Sequence, residues 1–269
     1  MNDSADQSAR FLELHTSERP LLVPNPWDVG SAKLLASLGF KALATTSGGF
    51  AASLGRVDGD VTREQAIAHA LAVQEASGLP VNGDFENGWS DDPAGVAETV
   101  ARAAAAGLAG CSIEDWSGSE IYDRGLAVER IAAAVEAAHG GGSRLVLTAR
   151  AENHLRGVDD LDDTIARLQA FQHAGADVLY APALRTPEQI GAVVEALEKP
   201  VNVLALPGVP PVAELAEIGV ARVSVGGAFA AVAYAALIGA ATELRDRGTY
   251  EYSQAAREGS AAMRAAFAS

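Results

Sequence analysis

Carboxylates follow three short apolar runs of this sequence, at the points where the runs end. Asp84 and Glu86 follow one run, Glu114 follows the next, and Glu152 follows a third. If the runs are β-strands, period-two alternation places Asp84 and Glu86 on one side of their strand. Carboxylates that point to the same place repel each other unless a cation lies between them. Oxygen ligands without a nearby Cys or His cluster favour Mg²⁺ or Mn²⁺ over zinc. The pattern predicts a metal site on Asp84, Glu86 and Glu114.

One cation, Arg150, belongs to the same group, because it follows the run at 145–148 and lies at the end of that predicted strand. An arginine at a strand end is suited to bidentate binding of a carboxylate or phosphate. A structural ion pair with Glu152 or Asp84 is the alternative interpretation. The sequence Ser47-Gly48-Gly49 follows another run and is able to present backbone N–H groups to an anion. It also suits an ordinary flexible loop.

A repeating local pattern positions these residues: an Ala-rich amphipathic helix ends at a Gly, and a short apolar run follows. The runs are not strictly alternating, which is typical of strands buried on both faces. Alternating strands and helices pair in parallel, and eight such units close into a (β/α)₈ barrel with its chemistry at the carboxyl ends of the strands. A doubly wound open sheet is the alternative, but no G-x-G-x-x-G turn is present. The predicted strands are 21–23, 40–44, 80–84, 110–113, 144–148, 177–180, 200–204 and 222–225.

The chain of 269 residues is interpreted as one domain. Residues 1–15 are polar and are expected to be a loose lead-in. The eighth barrel helix is predicted at Phe229–Arg245. The C-terminal segment 249–269 contains an extra helix at Tyr252–Phe267. His15, His69, His139 and His173 lie in helical patterns and are expected at the surface.

Composition excludes several classes of protein. The net charge of −15 disfavours nucleic-acid binding, and the single cysteine, Cys111, excludes a disulfide scaffold and a Cys-rich zinc site. No signal peptide is visible, and a cytoplasmic location is expected. Val223–Thr242 carries no charge and has the length of a membrane span. Because it is rich in Ala and Gly, we interpret it as a buried strand followed by a packed helix, so no membrane association is expected.

Several of these motifs together resemble the isocitrate lyase / phosphoenolpyruvate mutase superfamily. The resemblance extends from about Pro24 to Ala235 and depends on motifs at 24–32, 46–49, 58–62, 84–88, 113–115 and 149–152. It implies an α/β barrel whose last helix is exchanged with a partner subunit, in homodimers or homotetramers. The exchanged element would be Tyr252–Phe267 or the helix before it. It also implies a small carboxylic acid as substrate, bound on Mg²⁺ and reacting through an enolate.

The resemblance also implies a role for each matching residue. Asp84 corresponds to the direct metal ligand, and Glu86 and Glu114 to acids that hold the metal's waters. Arg150 corresponds to the arginine that binds the substrate's oxyanion or carboxylate. The other implied roles are carboxylate binding at Ser47, Gly48 and Gly49, support of the metal or reacting group by Asp58, and positions at the pocket edge for Trp27 and Asn202.

The segment after the fourth strand departs from the family pattern. Lyases of this family have a Cys-containing loop there and the phosphoryl-transfer members have a Lys and an Asn, whereas residues 116–124 read WSGSEIYDR. Tyr122, Glu120 or Arg124 would have to supply the functional group of this loop, and Tyr122 is taken as the catalytic candidate. The resemblance favours a Mg²⁺-dependent carbon–carbon lyase acting on a 2-oxo or 2-hydroxy acid. A phosphonopyruvate-type mutase or hydrolase and a barrel that binds a 2-oxo acid with little turnover are the alternatives.

Overall fold

Eight parallel strands form the centre of the molecule. The computed structural model describes residues 3–140 and 144–268. Each strand pairs in parallel with its sequence neighbour from β2 to β8, and β8 pairs with β1. The strands are β1 Leu21–Val23, β2 Leu43–Ala44, β3 Val81–Asp84, β4 Gly110–Glu114, β5 Val146–Arg150, β6 Val178–Tyr180, β7 Val201–Leu204 and β8 Arg222–Ser224.

The circle of strands closes between β1 and β2. There the backbone N–H of Ala44 donates to the carbonyl of Pro24 at 3.2 Å. The predicted (β/α)₈ barrel is therefore confirmed, and the open doubly wound sheet is wrong. Strand β2 is shorter than predicted, because only Leu43 and Ala44 have partners on β3.

Helices alternate with the strands and cover the outside of the barrel. Ala and Val supply many of the buried residues of these helices, as on α5, where Val96, Val100 and Ala103 are fully buried. Gly78 ends α4 in the left-handed conformation (φ 66°), as the Gly-terminated pattern predicts. The helices are α1 Asp3–Leu14, α2 Val29–Ser37, α3 Ser47–Ser53, α4 Arg63–Ser77, α5 Pro93–Ala105, α6 Arg124–His139, α7 Leu161–His173, α8 Pro187–Glu195, α9 Val212–Ile218, α10 Ala228–Arg247 and α11 Ser253–Phe267.

The N-terminal segment is not the loose lead-in that its polar composition suggested. Helix α1 packs near the amino ends of the strands, where Phe11 is fully buried with residues of β1, β5 and β6. The Ser8 hydroxyl donates to the carbonyl of Ala109 at 2.8 Å. His15, expected at the surface, is 4% exposed. The prediction failed because the apolar side chains of this segment are few and only the assembled barrel gives them a surface to cover.

Helices α10 and α11 differ from the other helices. The predicted eighth barrel helix and the extra C-terminal helix are both present, as α10 and α11. However, only Ala230 and Glu243 of α10 are buried, so within this chain it is not the packed helix that its composition predicted. By length and composition alone, α10 is the one described helix long and apolar enough to cross a membrane, and this is weak support for such a role.

Candidate functional site

Arg150 is surrounded by carboxylates at the carboxyl end of the barrel. Its Nη1 lies 3.0 Å from Asp84 Oδ1, and its Nη2 lies 3.1 Å from Glu114 Oε2. Nη2 is also 2.8 Å from Oε1 of Glu152, to which Nε donates at 3.1 Å. The acids come from β3, β4 and the residues after β5, which are neighbouring strands of the barrel. The structure thus brings together Asp84, Glu114 and Arg150 as the sequence predicted, and it also contains the ion pairs that were the alternative interpretation of Arg150.

The electrostatics of this group favour bound cations. Burial, followed by the charges of Asp84 and Asp58, raises the pKa of Glu86 to about 7. Burial raises the pKa of Glu114 to about 8, although Arg150 opposes the shift. Burial alone would lower the pKa of Arg150, but its three carboxylate partners raise that pKa above its ordinary value. Both glutamates would therefore gain from an additional positive charge nearby.

Glu86 is positioned at the site by a turn and not, as the sequence predicts, by strand β3. Strand β3 ends at Asp84, and Glu86 lies in the turn that follows, with a left-handed backbone (φ 47°). Strand alternation therefore does not align Glu86 with Asp84. The turn is fixed by the N–H of Glu114, which donates to the Glu86 carbonyl at 2.9 Å.

Ser47 and Gly48 lie in the first turn of helix α3, not in a flexible loop. The N–H of Ser47 donates to Asp84 Oδ2 at 3.1 Å. A Cβ atom at Gly48 would lie 3.2 Å from Oδ2 of Asp58, so a larger residue would press on that carboxylate. Asp58 itself is exposed, in the segment between α3 and α4.

Two connected cavities open at this end of the barrel and share Ser47, Asp58, Arg150 and Leu155. The outer cavity has a volume of about 700 Å³ and is also lined by Gly59, Glu86, Asn87, Trp89, Glu114, Trp116, Ser117, Gly118 and Arg156. The inner cavity has a volume of about 250 Å³ and extends between the strands. Its other lining residues include Asn25, Thr45, Gly48, Asn82, Asp84, Ser112, Tyr180, Asn202, Leu204, Arg222 and Ser224.

The predicted metal residues do not form a closed cage. In the described part of the chain, no three His, Cys, Asp or Glu side chains are grouped closely enough to hold a metal ion directly. Mg²⁺, however, usually keeps several waters and uses only one or two protein carboxylates. Asp84 as a direct ligand, with the high-pKa acids Glu86 and Glu114 as acceptors for metal-bound water, fits that kind of site.

Of the remaining predicted binding residues, one lines a cavity and two do not. Asn202 lines the inner cavity and donates to Ser224 Oγ at 3.0 Å. Trp27 and Gly49 do not line either cavity. They contact each other instead, since a Cβ at Gly49 would lie 3.2 Å from that of Trp27.

Tyr122 is not brought to the cavities. Its hydroxyl donates to Asp91 and accepts from Asn87 Nδ2 at 3.1 Å, and its ring lies 4.0 Å from the guanidinium carbon of Arg130. Burial first, and then the bond to Asp91, raise the pKa of Tyr122 to about 12. Of the other residues considered in this loop, Glu120 is exposed and Arg124 is 3.6 Å from Asp163.

Arg156 and Trp116 were missed by the sequence analysis. Arg156 lies in the short 3₁₀ turn after β5, and its guanidinium carbon is 4.5 Å from the centroid of the Trp116 ring. Its Nη2 is also 3.1 Å from Glu152 and 3.4 Å from Glu114. The only signal for it was a second arginine close after a strand end, and its spacing alone does not show that it turns back to the same acids.

Comparison with known proteins places the chain in a family. The family model described as phosphoenolpyruvate phosphomutase matches residues 11–245. A solved structure from Burkholderia cenocepacia described as a lyase/mutase is 49% identical, with a TM-score of 0.92 over 95% of this chain and 93% of that one.

Several relatives have named activities, among them a hydrolase and a lyase. Oxaloacetate acetylhydrolase, solved with the product oxalate, is 29% identical, with a TM-score of 0.83 over 91% of this chain and 88% of that one. The 2,3-dimethylmalate lyase of Eubacterium barkeri is 29% identical over 71% of this chain and 68% of its own. This protein therefore belongs to the phosphoenolpyruvate phosphomutase family, within the isocitrate lyase / phosphoenolpyruvate mutase superfamily of enzymes.

Proposed function

We propose that this protein is a Mg²⁺-dependent carbon–carbon lyase that acts on a small 2-oxo or 2-hydroxy carboxylic acid through an enolate. The observation that carries the proposal is Arg150, held among Asp84, Glu114 and Glu152 where the two cavities meet. The named activities of the relatives, which act on oxaloacetate and 2,3-dimethylmalate, support a substrate of this kind.

Arg150 provides the positive charge that the reaction needs. Breaking a carbon–carbon bond next to a 2-oxo acid leaves negative charge on the oxo oxygen, and a fixed cation in a water-poor site stabilises that charge. Its carboxylate partners hold the guanidinium in place, so little reorganisation is needed as the charge develops. Arg156, which lines the outer cavity, adds a second positive group near Glu114.

Asp84, Glu86 and Glu114 are the residues that would hold the metal ion, Mg²⁺ or Mn²⁺. When bound, a divalent cation supplies further stabilisation of charge on the substrate's oxygen atoms. The Ser47 N–H, which donates to Asp84, orients that carboxylate. Asp58, which lines both cavities, supports the reacting group.

We further propose that the protein works as a homodimer or homotetramer in the cytoplasm, with α11 or α10 exchanged between subunits. The support is the exposure of apolar side chains on both helices, including Val232, Leu237, Ile238 and Met263. Such a row of apolar side chains is unusual on a monomeric soluble protein.

A product assay tests the proposed reaction. Purified protein with Mg²⁺ is offered oxaloacetate, isocitrate, 2-methylisocitrate and phosphonopyruvate separately, and products are followed by ¹H, ¹³C and ³¹P NMR. We expect carbon–carbon cleavage of at least one carboxylic acid, and loss of this activity in EDTA. A new phosphorus signal from phosphonopyruvate would instead favour the mutase reaction that the family model names, or the alternative hydrolase reaction. Cleavage that is unaffected by EDTA would contradict the metal requirement.

A further inference from the structure

Arg222 is a buried cation inside the barrel. It begins β8, lines the inner cavity and is 3% exposed. Its Nε donates to Asn202 Oδ1 at 2.9 Å, and its Nη1 lies 3.4 Å from Nε2 of His15. Nδ1 of His15 is 2.7 Å from the carbonyl oxygen of Phe11. Because that oxygen only accepts, the His15 proton is on Nδ1 and Nε2 is a neutral acceptor for Arg222.

In the described part of the chain, Arg222 has no acidic partner. Within residues 3–140 and 144–268, no Asp or Glu side chain forms an ion pair with it, whereas Arg150 has three such partners. Its bonds to Asn202 and His15 leave Nη2 without a hydrogen-bond partner in this part of the chain. Burial, with a smaller effect from Arg150, lowers the pKa of Arg222 to about 10. Buried charges in proteins are normally paired, so an unpaired one lining a cavity suggests that a ligand supplies the partner.

The strand register relates the two arginines. Arg150 pairs with Tyr180, Tyr180 with Asn202, and Asn202 with Arg222, across four consecutive strands. All four residues line the inner cavity. One row of the barrel wall therefore has a cation at each end and neutral hydrogen-bonding groups, a phenol and an amide, between them. The cation at the Arg150 end is ion-paired with protein carboxylates, and the cation at the other end has no such partner among the described residues.

We propose that Arg222 binds a second carboxylate of the substrate, at the inner end of the cavity, while the 2-oxo or 2-hydroxy acid end lies near Arg150, Ser47 and Asp84. This inference rests on the proposed function and narrows its substrate class to dicarboxylic acids, or larger acids with a carboxylate remote from the reacting end. Arg222 is thus a specificity-determining residue, and Asn202 orients its guanidinium.

Binding to the wild-type protein tests the inference without requiring turnover. Malate, its 4-amide and lactate share a 2-hydroxy acid end, but only malate has a second carboxylate. With Mg²⁺ present, isothermal titration calorimetry is expected to show malate binding roughly tenfold or more tightly than the 4-amide, the size of effect that a charged hydrogen bond gives. Equal affinities for malate and the amide would overturn the proposal.

Variants at Arg222 test whether this residue causes the preference for malate over its amide. Arg222→Gln is expected to remove the difference in affinity between malate and its amide and to leave the affinity for lactate unchanged. Arg222→Lys should keep part of the difference in affinity. Arg102→Gln, at an exposed arginine on α5 that pairs with Glu64 and Glu98, is the matched control and should behave as wild type. If Arg222→Gln weakens lactate as much as malate, or changes neither, Arg222 is a structural residue only and the proposal is wrong.

Two further outcomes are separable. If Arg222→Gln does not fold, as thermal melting would show, the wild-type comparison of malate with its amide still decides the question. If the wild-type protein binds none of the three acids, the proposed function fails and this inference fails with it. Binding of malate and lactate without preference contradicts only the role of Arg222.

Discussion

Asp84 is the residue at which the parts of the candidate site meet. Its Oδ2 accepts from the N–H of Ser47 at 3.1 Å, and its Oδ1 is 3.0 Å from Arg150. The backbone N–H of Asp84 donates to the Thr45 hydroxyl at 2.8 Å, which fixes the end of β3. One carboxylate therefore connects α3, β3 and β5, and we expect a change at this position to affect both the proposed metal site and the position of Arg150.

Replacing Asp84 with Asn is expected to lower Mg²⁺-dependent activity by about 100-fold or more, since the variant keeps the shape but loses the charge of the proposed direct ligand. Mg²⁺ titration by calorimetry should show a parallel loss of affinity, and thermal melting checks the fold. Asp162→Asn, at an exposed position in the first turn of α7, is the matched control. Wild-type Mg²⁺ affinity in the Asp84 variant would remove the metal assignment.

At the scale of the element, α1 connects the N-terminus of the chain to the barrel interior. Phe11 fits against Gly110, where an added Cβ would lie 2.8 Å from the Phe11 ring. One turn further on, His15 contacts Arg222, which in turn contacts Asn202 of β7. A chain of side chains therefore runs from α1 to the wall of the inner cavity, so loss of α1 would disturb the cavity as well as the fold.

His15 makes stability depend on pH. Burial, and then Arg222, lower its pKa from 6.5 to about 3. The unfolded chain therefore binds a proton between these values that the folded chain does not. The contribution of neutral His15 to the free energy of unfolding is fully present above pH 6.5 and is lost as the pH falls towards 3. Between pH 7 and pH 5 the free energy of unfolding decreases by about 2 kcal/mol from this cause.

Urea unfolding at pH 7 and pH 5 measures this effect. His15→Asn is expected to lose less stability on acidification than the wild type, although it is less stable at pH 7. His173→Asn is the control, because His173 makes the same contact with a carbonyl four residues back, at 2.6 Å, but is exposed. If the free energy of unfolding changes with pH by the same amount in the wild type and the His15 variant, His15 is not held neutral in the folded protein.

At the scale of the whole molecule, helices α10 and α11 expose several large apolar side chains to solvent. Leu237 and Ile238 of α10 are 63% and 65% exposed, and Met263 and Phe267 of α11 are also exposed. Helix α11 contacts α2, whereas the apolar side chains of α10 have little cover from the barrel. We propose that a second subunit covers this surface, which accounts for the apolar character of α10.

Analytical ultracentrifugation is expected to show a dimer or tetramer for the wild-type protein. Ile238→Glu places a charge in the proposed interface and should shift the protein to a smaller species, because burying an unpaired carboxylate is unfavourable. Val212→Glu is the control, since Val212 is 40% exposed at the start of α9, away from these helices. A wild-type monomer, or binding of α10 to lipid vesicles, would contradict the exchange of helices.

The sequence alone determined the alternation of strands and helices, favoured the barrel over an open sheet, and located much of its polar rim. Short apolar runs separated by Gly-terminated helices require parallel pairing, and the carboxyl ends of parallel strands meet at one end of a barrel. Residues that end a strand, such as Asp84, Glu114 and Arg150, could therefore be assigned to one site from their places in the chain. This assignment is possible because the end of a strand is recognised from residues that are adjacent in the sequence.

Only the tertiary structure decided which side chains meet from distant parts of the chain. Arg156 turns back to Glu114, Tyr122 is held by Asp91 away from the cavities, and Arg222 lies between His15 and Asn202. No spacing in the sequence encodes these contacts, because each depends on the turn of a loop or the docking of a helix. The burial of His15 and the exposure of α10 have the same cause: the face that a helix buries depends on the surface available to cover it.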